Sequence, residues 1–388
     1  MNSNAKLFKP SLAAAAIASA LLAPAAQAGP TIQFGDQGSL TVTYALQAWA
    51  RQQNFSADNV KDENDFYLRR NRLAFSGQMN DMVGFYAQLE GGGNPGADKE
   101  VFFRDAYVTV DYSDAVRFIV GEFKNTFSRE NLEACLEPLT LDRSELLAYT
   151  PFGGTRDTGV AVWGNLLDAK LQYRFMVAEG RDSDAKPDDS FRYTARVHYS
   201  FLDPEYNYGY LGTYLGTAKV FTIGAAYDQQ SDIAYANYPM RADREDYKAW
   251  TVDAFFEYPT ESGVYTVSGA YFKYDSGGIH DKTPDADYPL NADMKGYYLK
   301  AGYMLPNKVG PGRLQLFARH DKADYGIETG TREYYDRTMN TLGANYYLDG
   351  QKLKLTLEYA DVNFDDDHPT VAALQDYSQV ILGFQFIF

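Results

Sequence analysis

Apolar and polar residues alternate with a period of two through most of this chain. The clearest case is YSQVILGFQFIF at 377–388. There Val380, Leu382, Phe384, Phe386 and Phe388 form a strongly apolar set, and Gln379, Ile381, Gly383, Gln385 and Ile387 a smaller, more polar one. A period of two is a strand with one apolar face. Sixteen segments can be strands: 38–49, 65–76, 82–91, 101–111, 115–124, 158–164, 168–177, 190–200, 216–228, 247–258, 262–273, 293–304, 312–320, 336–347, 351–361 and 377–388. The last is slightly longer than a tilted strand needs to cross a bilayer. Such a final strand must pair with something, and the pattern predicts that it closes a barrel against the first strand.

The connections support this. Short ones, such as Asn80-Asp81, Tyr112 to Asp114, Asn165 to Leu167, Pro259 to Glu261 and Asp349-Gly350, carry turn residues. Between them lie long polar connections at 50–64, 92–100, 125–157, 178–189, 229–246, 274–292, 321–335 and 362–376. Two nominally short turns, 201–215 and 305–311, are longer than ideal. Short turns alternating with long loops predict an all-β fold, a 16-stranded antiparallel transmembrane β-barrel with both termini on the short-turn, periplasmic side. A soluble solenoid or sandwich explains neither this alternation nor the terminal strand.

Composition changes the picture in three ways. Lys6 and Lys9, the apolar run Leu12 to Leu22 and Ala26-Gln27-Ala28 read as a signal peptide over 1–28, leaving 29–388 as the barrel. Removing those two lysines leaves 34 basic residues against 52 acidic ones, a formal charge of −18, which excludes a general nucleic-acid binder. A mean hydropathy of −0.41 suggests a soluble protein. Yet 32 Tyr and 24 Phe, with no later apolar run long enough for a membrane helix, fit an outer-membrane barrel instead. The single Cys135 rules out an internal disulfide framework and reads as a buried thiol.

Alternation also assigns the faces. Leu171, Tyr173, Phe175 and Val177 oppose Lys170, Gln172 and Arg174. Phe191, Tyr193, Ala195, Val197 and Tyr199 oppose Arg192, Thr194, Arg196 and His198. Leu314, Leu316 and Ala318 oppose Arg313, Gln315, Phe317 and Arg319. Leu353, Leu355, Leu357 and Tyr359 oppose Lys352, Lys354, Thr356 and Glu358. A cation facing lipid at mid-membrane costs about 2–4 kcal/mol, so the polar sets must face a wet lumen. In DFYLRRNRLAFSG at 65–77, Arg70 and Arg72 then point inward beside Ala74 and Ser76. Arg174, Arg192, Arg196, Arg313 and Lys354 share that sense, as do the acids Glu90, Asp105, Asp253, Glu257 and Glu358. Charges of both signs on opposed walls would set a transverse field, or simply keep a wide pore wet.

The loop 125–157 holds Arg129, Arg143 and Arg156, with Lys124 at its root, and the anchors Leu132, Leu136, Leu139, Leu146, Leu147 and Phe152. So many leucines predict that it folds into the lumen as a constriction rather than hanging in solvent. A short helix is expected at Glu130 to Glu137.

Several segments resemble the phosphate-selective porins of the O and P type. They are FYLRRNRLAFSGQMNDMVGFYAQLE at 66–90, RDAYV at 104–108, GEFKNTFSREN at 121–131, LDRSELLAY at 141–149, RDTGVAVWG at 156–164 and the closing strand. The resemblance implies a sixteen-stranded outer-membrane barrel, commonly trimeric, with an inward-folded third loop. It implies passage of phosphate, polyphosphate or other anions, dicarboxylates included. Arg69, Arg70 and Arg72 look like the family's basic cluster. Lys124 and Arg129 resemble its positions where the third loop begins, and Arg143 and Arg156 its arginines in and after that loop.

The expected function is passive diffusion of small hydrophilic solutes with an anion bias, in contact with outer-membrane lipid and lipopolysaccharide. The alternatives are a weakly selective or cation-preferring porin, and a barrel bound to a secretion or electron-transfer partner. No catalytic constellation surrounds His198, His280, His320 or His368, so no enzyme and no cofactor are expected. Divalent cations could bind the acidic stretches Asp182 to Asp189 and Asp365-Asp366-Asp367. Small residues such as Ala74, Ala87 and Ala106 are compatible with a homotrimer.

Overall fold

The alternating segments are strands in a computed structural model that describes residues 29–388 except 58–59, 97–99, 149–151, 153, 182–185, 238, 277–292, 327–334 and 367–373. The leader expected at 1–28, and of the acidic stretches expected to hold cations residues 182–185 and 367, lie outside the described residues. The strands are β1 (Thr31–Phe34), β2 (Gly38–Phe55), β3 (Glu63–Gln78), β4 (Val83–Gly91), β5 (Phe102–Ser113) and β6 (Val116–Lys124). After a long connection come β7 (Arg156–Leu166), β8 (Leu171–Ala178), β9 (Arg192–Ser200), β10 (Val220–Asn237), β11 (Ala242–Thr260) and β12 (Gly263–Asp275). The chain ends with β13 (Asp293–Met304), β14 (Arg313–Gly326), β15 (Arg337–Asp349), β16 (Leu353–Phe364) and β17 (Tyr377–Ile387).

Strands β2 to β17 each pair antiparallel with their sequence neighbours, and β17 pairs with β2, so sixteen strands close a barrel as the pattern predicts. Closure runs from Tyr377↔Phe55 to Ile387↔Ala45. Phe388 N–H donates to Tyr44 O, and Tyr44 N–H donates to Phe388 O, each at 2.8 Å. The short β1 is extra; it folds back on the start of β2. Its four residues are too few to show a period.

Period two becomes burial alternation. Along β9 Arg192, Thr194, Arg196 and His198 are buried, while Tyr193, Val197 and Tyr199 are exposed. Leu299, Leu342 and Leu357 are more than half exposed on the same outer surface. Near the short turns Phe201, Phe221, Phe256 and Tyr258 form an aromatic row with ring centroids 4.8 to 6.3 Å apart, two contacts stacked and the Phe221–Phe256 contact edge-to-face. An outward apolar band with an aromatic girdle over a polar interior is the arrangement of a membrane-spanning barrel.

Four boundaries differ from the pattern reading. The loop expected at 229–246 is mostly strand, since β10 and β11 continue as a tall hairpin with a bulge between Gln230 and Ala234. The loop at 50–64 shrinks because β2 and β3 extend and Arg51 pairs with Glu63 and Asp65 across them. Arg156 is the first residue of β7, so the long connection is 125–155. Lys352 follows the β15–β16 turn and is exposed rather than inward.

The connection 125–155 starts with one helical turn, α1 (Arg129–Leu132), capped where Ser128 Oγ accepts from Asn131 N–H at 3.0 Å. The helix expected to reach Glu137 stops there because Glu133 leaves the turn to bridge Tyr210. Beyond α1 the segment reaches inner-face residues on many strands. Lys300 Nζ on β13 donates to Glu130 Oε2 at 2.7 Å. Asn345 Nδ2 on β15 donates to Leu139 O at 2.7 Å, and Gln385 Nε2 on β17 donates to Leu136 O at 2.8 Å. Leu141 N–H donates to Glu358 on β16 at 3.0 Å, and Ser144 Oγ lies 2.5 Å from Asp321 on β14.

Two leucines sit where the wall has no side chain. A Cβ on Gly302 would fall 2.5 Å from Leu139 Cδ1, and one on Gly383 would fall 2.8 Å from Leu141 Cδ1. Both leucines are buried, a gain of about 1.5–3 kcal/mol each. Phe127, Leu146 and Leu147 join Tyr247, Phe272, Tyr274, Tyr298 and Tyr325 in the largest apolar cluster.

Candidate functional site

Two connections from opposite ends of the barrel meet inside the site. One is 125–155, between long-loop ends of β6 and β7. The other is 201–219, between β9 and β10 on the short-turn side. They share backbone hydrogen bonds: Ala134 N–H to Tyr210 O at 2.9 Å, Tyr210 N–H to Leu132 O at 3.2 Å and Gly212 N–H to Glu137 O at 3.0 Å. Arg129 staples them, donating twice to Glu205 at 2.7 and 2.8 Å. Its guanidinium lies between the rings of Tyr210 at 4.5 Å and Phe255 at 3.9 Å. With both charges fully buried, losing one partner would cost about 3–5 kcal/mol.

Most inward cations have carboxylate partners on the same wall or on the loop, not on an opposed wall. Arg72 pairs with Glu90 at 2.8 Å, and Arg104 shares that carboxylate at 2.6 Å. Arg156 pairs with Asp105, Arg192 with Asp228 and Asp157, and Arg196 with Asp253. A bulge opposite Gln47 and Ala48 breaks the alternation of β3, and Arg69 and Arg70 both reach Asp142 of the long connection, at 2.8 and 2.7 Å. The transverse field expected from opposed walls is therefore replaced by short, local pairs.

Five of the candidate cations have no carboxylate partner among the described residues. Lys124 Nζ donates to the carbonyls of Leu132 and Glu133, at 3.3 and 2.6 Å. Arg143 donates to Asn131 O at 3.1 Å, and Arg174 to Tyr210 Oη and Tyr208 O. Arg313 donates to Leu215 O, and Lys354 to Gln351 Oε1.

The long connection packs towards β11 to β17, and a cavity of about 160 Å³ remains between it and β2 to β7. Arg72, Lys124 and Arg156 line it together with Asp105, Asp111 and Glu137, and Cys135 is in its wall. Arg70, Arg129, Arg143, Arg174, Arg192, Arg196, Arg313 and Lys354 are not in that lining. Cys135 is buried, as expected.

The connection's own titratable groups respond to this setting. Burial works to raise the Asp142 carboxyl, but Arg70, Arg69 and Arg143 outweigh it and hold it well below the usual carboxylate range. Burial pushes Glu137 up to about 7, with Lys354 and Lys124 offsetting only part of it. Burial likewise raises Glu133 to about 7 against the pull of Lys300, whose Nζ is 3.5 Å away without a hydrogen bond. At Cys135 burial opposes ionisation, but Arg143, Lys124, Arg72 and Arg70 together take the thiol well below its ordinary value.

Sequence reasoning missed the whole 201–219 contribution, as well as Asp142 and Lys300. A signal existed for the first. Tyr206, Tyr208, Tyr210 and Tyr214 crowd one supposed turn, and a turn in water has no use for so many rings. Asp142 and Lys300 carry no local signal, since their partners are distant in sequence.

Comparison with known proteins agrees with this architecture. Against an uncharacterised protein of Aquifex aeolicus strain VF5 the chain is 22% identical over 330 residues, covering 76% of this chain and 75% of the other. Salmonella typhi OmpF, solved in complex with daunomycin, superposes with a TM-score of 0.58 at 14% identity, covering 92% of this chain and all of that one. The outer membrane channel DcaP of Acinetobacter baumannii gives 0.56 at 13%, covering 92% and 99%. A trimer form of OmpT, an outer membrane protein of Vibrio cholerae, gives 0.55 at 11%, covering 91% and 100%. At such identities these structures speak for the fold. The profile of phosphate-selective porin O and P matches residues 42–388, and the chain belongs to that family.

Proposed function

We propose that this porin conducts small hydrophilic solutes by passive diffusion across the outer membrane, with a modest anion preference. The carrying observation is the cavity between the 125–155 connection and β2 to β7, with Arg72, Lys124 and Arg156 on its wall. On this reading the connection is the constriction. A solute exchanges part of its hydration for those cations and is released on the far side, which requires weak binding. The carboxylate partners of Arg72 and Arg156 keep the preference modest, and Lys124, whose Nζ donates to two backbone carbonyls, has no carboxylate partner among the described residues. Phosphate and related oxyanions fall within this class, a reading supported by the family's description.

Three further features go with this function. Residues 1–28 direct export and are removed. Both termini are periplasmic, consistent with an even number of barrel strands. The working unit is a homotrimer in lipid and lipopolysaccharide, supported by the trimer form of the Vibrio cholerae relative. Reversal potentials in a KCl gradient test the selectivity. A chloride-preferring potential supports the reading, and a potassium-preferring one contradicts it.

A further inference from the structure

The cavity wall carries a feature that a wet pore does not need. Five rings run in unbroken contact across β4 to β7 and the 201–219 connection. Tyr86 stacks on Tyr107 at 5.4 Å, Tyr107 meets Phe123 at 6.1 Å, Phe123 meets Tyr208 at 6.2 Å and Tyr208 meets Trp163 at 5.6 Å. All five line the cavity, with Ile119, Leu132 and Leu136 beside them. Barrel lumens are ordinarily polar. Here one wall is aromatic, and Arg72, Lys124 and Arg156 line the same cavity.

We propose that this cavity selects small organic anions with a flat apolar body, of the aromatic carboxylate class, the rings carrying the body while Lys124 and Arg156 attract the carboxylate. The inference rests on the anion-conducting reading above and narrows its solute. Three considerations point this way. A bare inorganic oxyanion gains nothing from the rings and would lose hydration against them. A sugar can lay its apolar face on a ring but makes no use of the cations Lys124 and Arg156. The space is also about what a single benzene ring occupies in an apolar protein cavity. Arg156 keeps capacity for a carboxylate, because its Nε and Nη2 go to Asp105 while Nη1 donates only to Thr155 Oγ1.

The test is a planar bilayer measurement on the purified, folded porin, with benzoate, acetate, phosphate, benzyl alcohol and glucose added in turn to a KCl bath. Benzoate should half-block the chloride current at a concentration at least tenfold below that of acetate, phosphate, benzyl alcohol or glucose. Tyr107→Leu and Phe123→Leu should each bring benzoate to the acetate level. Heat-modifiable electrophoretic mobility reports whether each variant folds, and the wild-type comparison of the five solutes decides alone if neither does. Chloride preference with equal block by benzoate and acetate would overturn this inference and leave the anion reading standing. Block by benzyl alcohol or glucose as strong as by benzoate would also overturn it. A potassium-preferring reversal potential would remove the anion reading itself.

Discussion

Asp142 is the residue on which the charge of the long connection turns. It accepts from Arg69 and Arg70, which a bulge in β3 brings to the same side, and it neutralises what would otherwise be a basic cluster. Asp142→Ala should therefore raise the chloride-to-potassium permeability ratio roughly two- to fivefold, equivalent to about 0.4–1 kcal/mol of Coulomb energy in a wet site. Reversal potentials of variant and wild type check this. Glu133 and Glu137 set a pH dependence, since burial raises both to about 7. The folded chain then holds these protons more firmly than the unfolded chain does. Docking of the connection is favoured below the ordinary carboxylate range, and that advantage is lost as pH rises through about 7. Falling pH also removes negative charge from the constriction, so anion preference should grow between pH 8 and pH 6. Glu137→Gln should flatten part of that titration, and an unchanged pH profile would count against the assignment.

At the scale of elements, the connections shape the interior more than the strands do. Leu139 and Leu141 fit over Gly302 and Gly383, where any larger side chain would meet them. Gly302→Val should expel the leucine at a cost of about 1–3 kcal/mol. It should give a larger, noisier single-channel conductance, while heat-modifiable mobility shows the barrel intact. Lys300→Ala breaks the buried contact with Glu130, should loosen the same connection by about 3–5 kcal/mol, and should make it a preferred site of limited proteolysis.

The strands were legible because one face meets lipid and the other water, which forces period two on the sequence. That signal fails where the wall leaves the membrane. Residues 229–246 carry polar side chains on both faces and look like a loop, yet pair as a hairpin. The docking of 125–155 was foreshadowed by its leucines. The wall glycines that receive them were not, because a glycine within a strand looks the same whether or not something rests on it. The tyrosines of 201–219 were visible, but nothing else local in the sequence distinguishes a connection that turns inward from one that stays in water.

For the whole molecule, the barrel supplies compartment and closure, and neither requires the basic lumen that eleven inward or loop cations suggested. Arg156 reads as a loop residue, and alternation could place Arg72, Arg192 and Arg196 on the inner face. It could not show that each meets a carboxylate there. Nor does the net charge of −16 decide the constriction, since exposed loop charges are screened beyond about 10 Å at 0.1 M salt. What remains is a cavity with one aromatic wall, lined also by Arg72, Lys124 and Arg156, and on the proposed reading solutes pass through it. The chain's single cysteine tests it most directly, because Cys135 lies in the cavity wall among cations that favour its thiolate. A small anionic methanethiosulfonate should add one mass increment to the folded porin and lower both its single-channel conductance and its chloride preference, and Cys135→Ser should be indifferent to the reagent. Full modification by mass with conductance and selectivity unchanged would place the permeation path elsewhere.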